Sequence, residues 1–183
     1  DDNKTQQAEI YDGMLGELSD FQHPHNLTLL HQRSLLDDLP LPVGSHVLEI
    51  GGHRSGVLPY LEATAGIKGA GIDISAEWVN EQNRLASGRG GHTKWFLGDA
   101  ETLPFGSESF DAIVSFDVFE HLSDMRLAMQ ECFRVLKPNG RLVCHMPVQD
   151  VRLSLDGIQQ SLAGDSWRQR QASVGHFHDQ MPD

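Results

Sequence analysis

Basic residues are scarce in this chain. Lys and Arg number 14 against 26 Asp and Glu, which leaves a net charge of −12 over 183 residues. An acidic chain repels phosphate backbones, and no basic stretch stands out, so nucleic acid is not an expected partner. No apolar run approaches the length that spans a bilayer, and the opening residues show no secretory-signal pattern. Two cysteines, Cys132 and Cys144, cannot make a disulfide framework. They read as small buried hydrophobes in a reducing, cytoplasmic setting. Internal repeats and low-complexity tracts are also missing. The chain begins with Asp rather than Met, which reads as a processed or trimmed start. What remains is an ordinary globular composition, long enough for one domain with a real core.

From residue 46 onward the pattern alternates. Short apolar runs at His46–Ile50, Gly69–Ile74, Thr93–Leu97, Phe110–Phe116 and Arg141–Met146 read as strands. Between them, Gly56–Ala65 and Ala76–Ala86 read as helices, the first closed by Gly66 and the second capped by Ser75. Leu122, Met125, Met129, Cys132 and Leu136 recur at steps of three and four, one helical face, with Ser123 as the expected cap and Lys137–Gly140 as its break. Ahead of this, Thr5–Leu18 and Asn26–Leu39 have helical spacing. Strand and helix in alternation with short links predict an α/β domain. Its sheet is doubly wound, Rossmann-like and mostly parallel, with helices on both faces.

One segment carries chemistry. Val47-Leu48-Glu49-Ile50-Gly51-Gly52-His53-Arg54-Ser55-Gly56 runs from a buried strand through a glycine-rich turn into a helix, and Asp73 ends the next strand. That layout sets backbone N–H groups and a helix N-terminus against a ligand. It also places a carboxylate where ribose hydroxyls can donate, so it points to a nucleoside-containing cofactor, dinucleotides included.

Further segments narrow the choice. Gly71-Ile72-Asp73-Ile74-Ser75 and Gly98-Asp99-Ala100-Glu101-Thr102-Leu103-Pro104-Phe105 are followed by Phe110-Asp111-Ala112-Ile113-Val114-Ser115. Phe119-Glu120-His121-Leu122 and Arg134-Val135-Leu136-Lys137-Pro138-Asn139-Gly140-Arg141-Leu142 come after them. In this order and spacing the chain resembles the class I S-adenosylmethionine-dependent methyltransferases, the small-molecule type, over residues 43–147. The resemblance implies S-adenosylmethionine as cofactor, S-adenosylhomocysteine as product and a small-molecule acceptor. It implies that Gly51 and Gly52 admit the methionine part, that Glu49 stands near its ammonium, and that Asp73 takes the ribose hydroxyls. Ile74 would pack on adenine, Asp99 would accept its amino group, and the Ala100 N–H would donate to a ring nitrogen. Ser115 and Phe116 would face the methionine and the acceptor. Of the histidines near the strand ends, His145 and His121 are the candidate bases.

Two departures from the family pattern stand out. His53 and Ser55 occupy positions usually held by glycine, so His53 itself is a candidate contact for the cofactor carboxylate. The sheet's usual closing antiparallel pair finds no strand pattern after Pro147, so it reads as absent or truncated, with a homodimer or partner chain as possible cover for the edge. His176 and His178 lack a third partner, and no metal site is expected. The expected organisation is an N-terminal helical cap over 1–42, a cofactor-binding core over 43–147, and a substrate-side or incomplete part over 148–183. Two other classes share some of these features. A non-catalytic module with the same fold would carry an altered glycine turn, and a nicotinamide dehydrogenase would share Gly51, Gly56 and Asp73 but not the Asp99-Ala100 segment.

Overall fold

The computed structural model describes residues 2–12, 27–52, 56–88 and 90–146. Expectations for His53, Ser55, His176, His178 and everything else after Met146 lie outside those residues.

Among the described residues, five strands form one sheet: β1 (His46–Ile50), β2 (Lys68–Asp73), β3 (Lys94–Leu97), β4 (Phe110–Phe116) and β5 (Leu136–His145). Every pairing is parallel and the order is β3-β2-β1-β4-β5. The expected doubly wound sheet is therefore present. Its strand order reverses between β1 and β4, and such a reversal opens a crevice beyond the carboxyl ends of those strands.

The helices are α1 (Asp2–Asp12), α2 (Leu27–Asp37), α3 (Val57–Ala65), α4 (Ala76–Gly88) and α5 (Met125–Val135). Period-two alternation splits β1 and β4 between two cores. Val47, Ala112 and Val114 pack with Leu36 of α2, Leu58 and Leu61 of α3, Val79 of α4 and Trp95. Leu48, Ile50, Ile72 and Ile113 pack with Ala128, Cys132 and Val135 of α5. Right-handed crossovers require this division, because chain growth on opposite sides of β1 puts the connecting helices on opposite faces.

Local signals match in detail at several points. Gly66 closes α3 in the left-handed region (φ 63°), its N–H bonded to the Glu62 carbonyl. The Trp78 N–H donates to Ser75 Oγ at 3.1 Å, the expected cap of α4. Three expectations need correction. The cap of α5 is Asp124, which accepts from the Leu127 N–H at 3.0 Å, one residue past the expected Ser123. β5 begins at Leu136, paired with Phe110. Pairing then resumes at Arg141 with Ala112, so Lys137–Gly140 bulges out of a strand instead of preceding it. Asn139 adopts φ 65° there, a conformation asparagine tolerates. Cys132 is buried as expected, but Cys144 is exposed, on the sheet's edge strand.

Candidate functional site

The crevice is framed by the residues that follow each strand. Gly51 leaves β1 at φ 71° with its N–H bonded to the Ile72 carbonyl at 2.8 Å. A Cβ at Gly51 would stand 2.3 Å from Val118 Cγ2, so both conformation and space demand glycine. Gly52 is tightly enclosed as well. A Cβ there would fall 1.7 Å from the Trp95 ring, and one at Gly71 would fall 2.2 Å from the same indole. Trp95 thus lies across both glycines, packed from β3 against the turn.

Asp73 ends β2 and is buried, 6 % exposed. Its Oδ1 accepts the Ser75 N–H at 2.9 Å, which fixes the carboxyl at the mouth of α4. Ile74 beside it is half-buried, and Glu49, mid-strand in β1, is buried. Asp99 follows β3 and is both a turn residue and a carboxylate at the crevice. Its carbonyl accepts the Thr102 N–H at 3.0 Å and its Oδ1 the Glu101 N–H at 2.9 Å. Ala100 is buried next to it. Ser115 is fully buried at the end of β4 and donates to the Ile50 carbonyl at 3.2 Å, across the point where strand order reverses. Phe116 is half-buried after it.

The histidines separate. His121, in the 3₁₀ turn Phe119–His121, offers its carbonyl to Gln7 and holds Nε2 3.9 Å from Glu120. His145, the last residue of β5, meets Asp117 Oδ1 through Nδ1 at 2.7 Å. Among the described residues, no group of three or more His, Cys, Asp or Glu is placed to hold a metal ion.

Several rim residues were not legible in the sequence. Lys4 of α1 pairs with Asp99 and with Glu101, the latter at 2.6 Å. Its ammonium pKa is raised, because the two carboxylates outweigh the opposing, larger single effect of burial. Glu101 also accepts the Asp124 N–H at 2.7 Å, so one buried carboxylate ties α1 to the start of α5. Gln32 of α2 donates to Asp117 Oδ2 at 3.3 Å. Lys4 and Asp99 are 95 positions apart, and no periodicity announces such a contact. Asp117 did carry a signal, as a carboxylate directly after a strand aimed at the crevice.

Glu120 is 1 % exposed and lacks a hydrogen-bond partner among the described residues. Burial, reinforced by the negative charge of Asp117, pushes its carboxyl up to about 7. Arg134 fastens the loop after Asp99 from α5. It donates to the carbonyls of Phe105 and Leu103 at 2.7 and 3.0 Å and holds the Glu131 carboxyl below its usual range.

Comparison with known proteins agrees with this architecture. Residues 48–144 match the family described as "Methyltransferase domain". A mitochondrial 2-methoxy-6-polyprenyl-1,4-benzoquinol methylase of Rattus norvegicus is 40% identical over 74 residues, 39% of this chain and 23% of that one. A demethylmenaquinone methyltransferase of Thermotoga maritima is 41% identical over 86 residues, 46% of this chain and 33% of that one. The chain therefore spans a third or less of those two relatives. A geranyl diphosphate methyltransferase solved with GPP and sinefungin superposes with a TM-score of 0.77, at 18% identity, over 92% of this chain and 74% of that one. By the family match and the fold together, this chain belongs to the class I S-adenosylmethionine-dependent methyltransferases.

Proposed function

We propose that the chain transfers a methyl group from S-adenosylmethionine to a small-molecule acceptor at the crevice beyond β1 and β4. The observation that carries this reading is a pair of fixed carboxylates, Asp73 and Asp99, at the carboxyl ends of the neighbouring strands β2 and β3. Each is oriented by a backbone N–H two residues on. The donor set suits the cofactor. A carboxylate held by its own turn accepts from a ribose diol, and a second, one strand over, accepts from an adenine amino group. Ile74 and Ala100 supply apolar surface for the base, with the Ala100 N–H as donor. Gly51, Ser115 and Phe116 border the methionine side. Glu49 is assigned the ammonium, and His53 the carboxylate. Gly52, which also seats Trp95, admits the backbone to the methionine part. The 1–42 segment acts as the cap, as the links from Lys4, Gln7 and Gln32 to the rim suggest. The bound cofactor supplies an electrophilic methyl on a sulfonium; the protein's part is alignment and exclusion of water.

Calorimetric titration with S-adenosylmethionine and S-adenosylhomocysteine tests this directly. Both should bind, and Asp73→Ala should weaken each by about 1.5–3 kcal/mol, the scale of a lost charge-assisted hydrogen bond. Absence of binding by the unaltered protein overturns the proposal, and an unchanged affinity in Asp73→Ala overturns the ribose assignment.

A further inference from the structure

Asp99 and Glu101 set two carboxylates close together just beyond β3, and one cation from the opposite end of the chain bridges them. Lys4 Nζ, on α1, donates to Asp99 Oδ2 and, at 2.6 Å, to Glu101 Oε2. The two acids are not equal partners. Glu101 is 6 % exposed, and its other oxygen accepts the Asp124 N–H at 2.7 Å, so it is locked between α1 and α5. Asp99 is more open, at 27 %. Its Oδ1 is taken by the Glu101 N–H at 2.9 Å, which leaves Oδ2 as the oxygen that can face a ligand. Lys4 sits on that oxygen. One turn further along α1, Gln7 donates to the His121 carbonyl. The helix therefore has holds on the rim that do not pass through Asp99.

We infer that Lys4 competes with the nucleobase for Asp99: the adenine amino group displaces the ammonium from Oδ2, and Lys4 withdraws onto Glu101 while α1 stays held. This rests on the assignment of Asp99 to adenine above. The exchange leaves no charge stranded. The amino N–H replaces one donor on Asp99, and Glu101 keeps the ammonium in a charge-assisted bond. The exchange still has a cost, because a neutral amino group takes the place of a cation on an ionised oxygen. Lys4 thus lowers the affinity for the cofactor through a contact it makes with the protein itself. The effect is ionic. For a partly exposed pair it amounts to about threefold in an equilibrium constant, and it fades as salt screens the charges.

Calorimetric titration with S-adenosylhomocysteine tests this at about 0.01 M and about 1 M KCl, where charges are felt over about 30 Å and about 3 Å. Lys4→Met keeps the length of the side chain and loses its charge. At low salt it should bind the ligand about threefold tighter than the unaltered protein, and at high salt the gap should close. Lys4→Arg keeps the cation and should restore the weaker, salt-sensitive binding. An analogue of S-adenosylhomocysteine with hydrogen in place of the adenine amino group has no donor to displace the ammonium. It should bind the unaltered protein and Lys4→Met alike. Equal or weaker binding of S-adenosylhomocysteine by Lys4→Met at low salt overturns the inference. So does a gap that survives high salt, the same gap with the analogue, or a Lys4→Arg protein that behaves like Lys4→Met. Failure of the unaltered protein and Lys4→Met alike to bind S-adenosylhomocysteine would instead overturn the methyltransferase reading.

Discussion

Glu120 holds its proton well beyond the usual carboxylate range, and that has a thermodynamic consequence. The unfolded chain loses this proton near the ordinary 4.5, while the folded chain keeps it to about 7. Between those values the folded state binds more protons, so stability falls as pH rises through the window and levels off above it. The full swing is about 3.5 kcal/mol as an upper bound, from 4.5 to about 7 at about 1.4 kcal/mol per pH unit. Glu120→Gln removes the ionisation. Thermal melts should show the variant close to the unaltered protein at pH 4 and more stable at pH 8. A variant that melts lower at pH 8 would mean that the ionised carboxylate has a stabilising partner.

Trp95 accounts for a second residue-scale effect. With its indole already against Gly71, an added methyl has nowhere to go. Gly71→Ala should cost at least about 1–3 kcal/mol in denaturant titrations, the usual range for an overfilled core. Trp95→Leu costs stability alone, but should make Gly71→Ala nearly harmless. The two losses should therefore combine well below their sum. Simple additivity would place the glycine's requirement elsewhere.

At the scale of elements, the sheet edge at β3 is managed by one side chain of α4. Asn83 donates to the Trp95 carbonyl and accepts the Trp95 N–H, both at 2.9 Å. It thereby imitates a neighbouring strand on an edge that would otherwise present unpaired backbone. Asn83→Ala breaks both bonds and should cost about 1–3 kcal/mol. Faster amide hydrogen exchange at Trp95 is the specific check; an unchanged rate would show the edge to be protected by something else. This contact also marks the limit of legibility in the sequence. The alternation in β1 and β4, the Gly66 stop and the Ser75 cap were readable because each is a local signal within a few residues. The start of β5 was not, because Leu136 pairs with Phe110 across the sheet and the Lys137–Gly140 turn signal was true but sat inside the strand. Cys144 was misread as buried because β5 is an edge strand among the described residues. The carboxylates Asp73 and Asp99 were legible as strand-end acids. Their partners were not: Lys4 reaches Asp99 and Glu101 from the far end of the chain, a meeting only the fold determines.

Across the whole molecule the two ends of the sheet divide their tasks. The carboxyl ends carry the crevice, whereas the amino ends are tied by Asp111, which accepts the His46 N–H at 2.8 Å and Lys137 Nζ at 2.9 Å on both oxygens. Lys137, above all, holds the Asp111 carboxyl below its usual range. That part of stability is present above the ordinary carboxylate pKa and is lost as pH falls through the depressed one. This separation makes one experiment diagnostic of where the cofactor sits. At a hundred times its dissociation constant a ligand adds about 2.7 kcal/mol to folding. For a chain of this size that is a rise of about 5–10 °C in Tm. S-adenosylhomocysteine should produce such a shift in the unaltered protein, and Asp73→Asn should lose most of it at the same ligand concentration. Asp111→Ala should do the opposite, lowering the Tm of the free protein while leaving the ligand-induced rise intact. Loss of the shift in Asp111→Ala would mean that the amino-end tie and the crevice are one cooperative unit. Retention of the shift in Asp73→Asn would move the ribose away from β2.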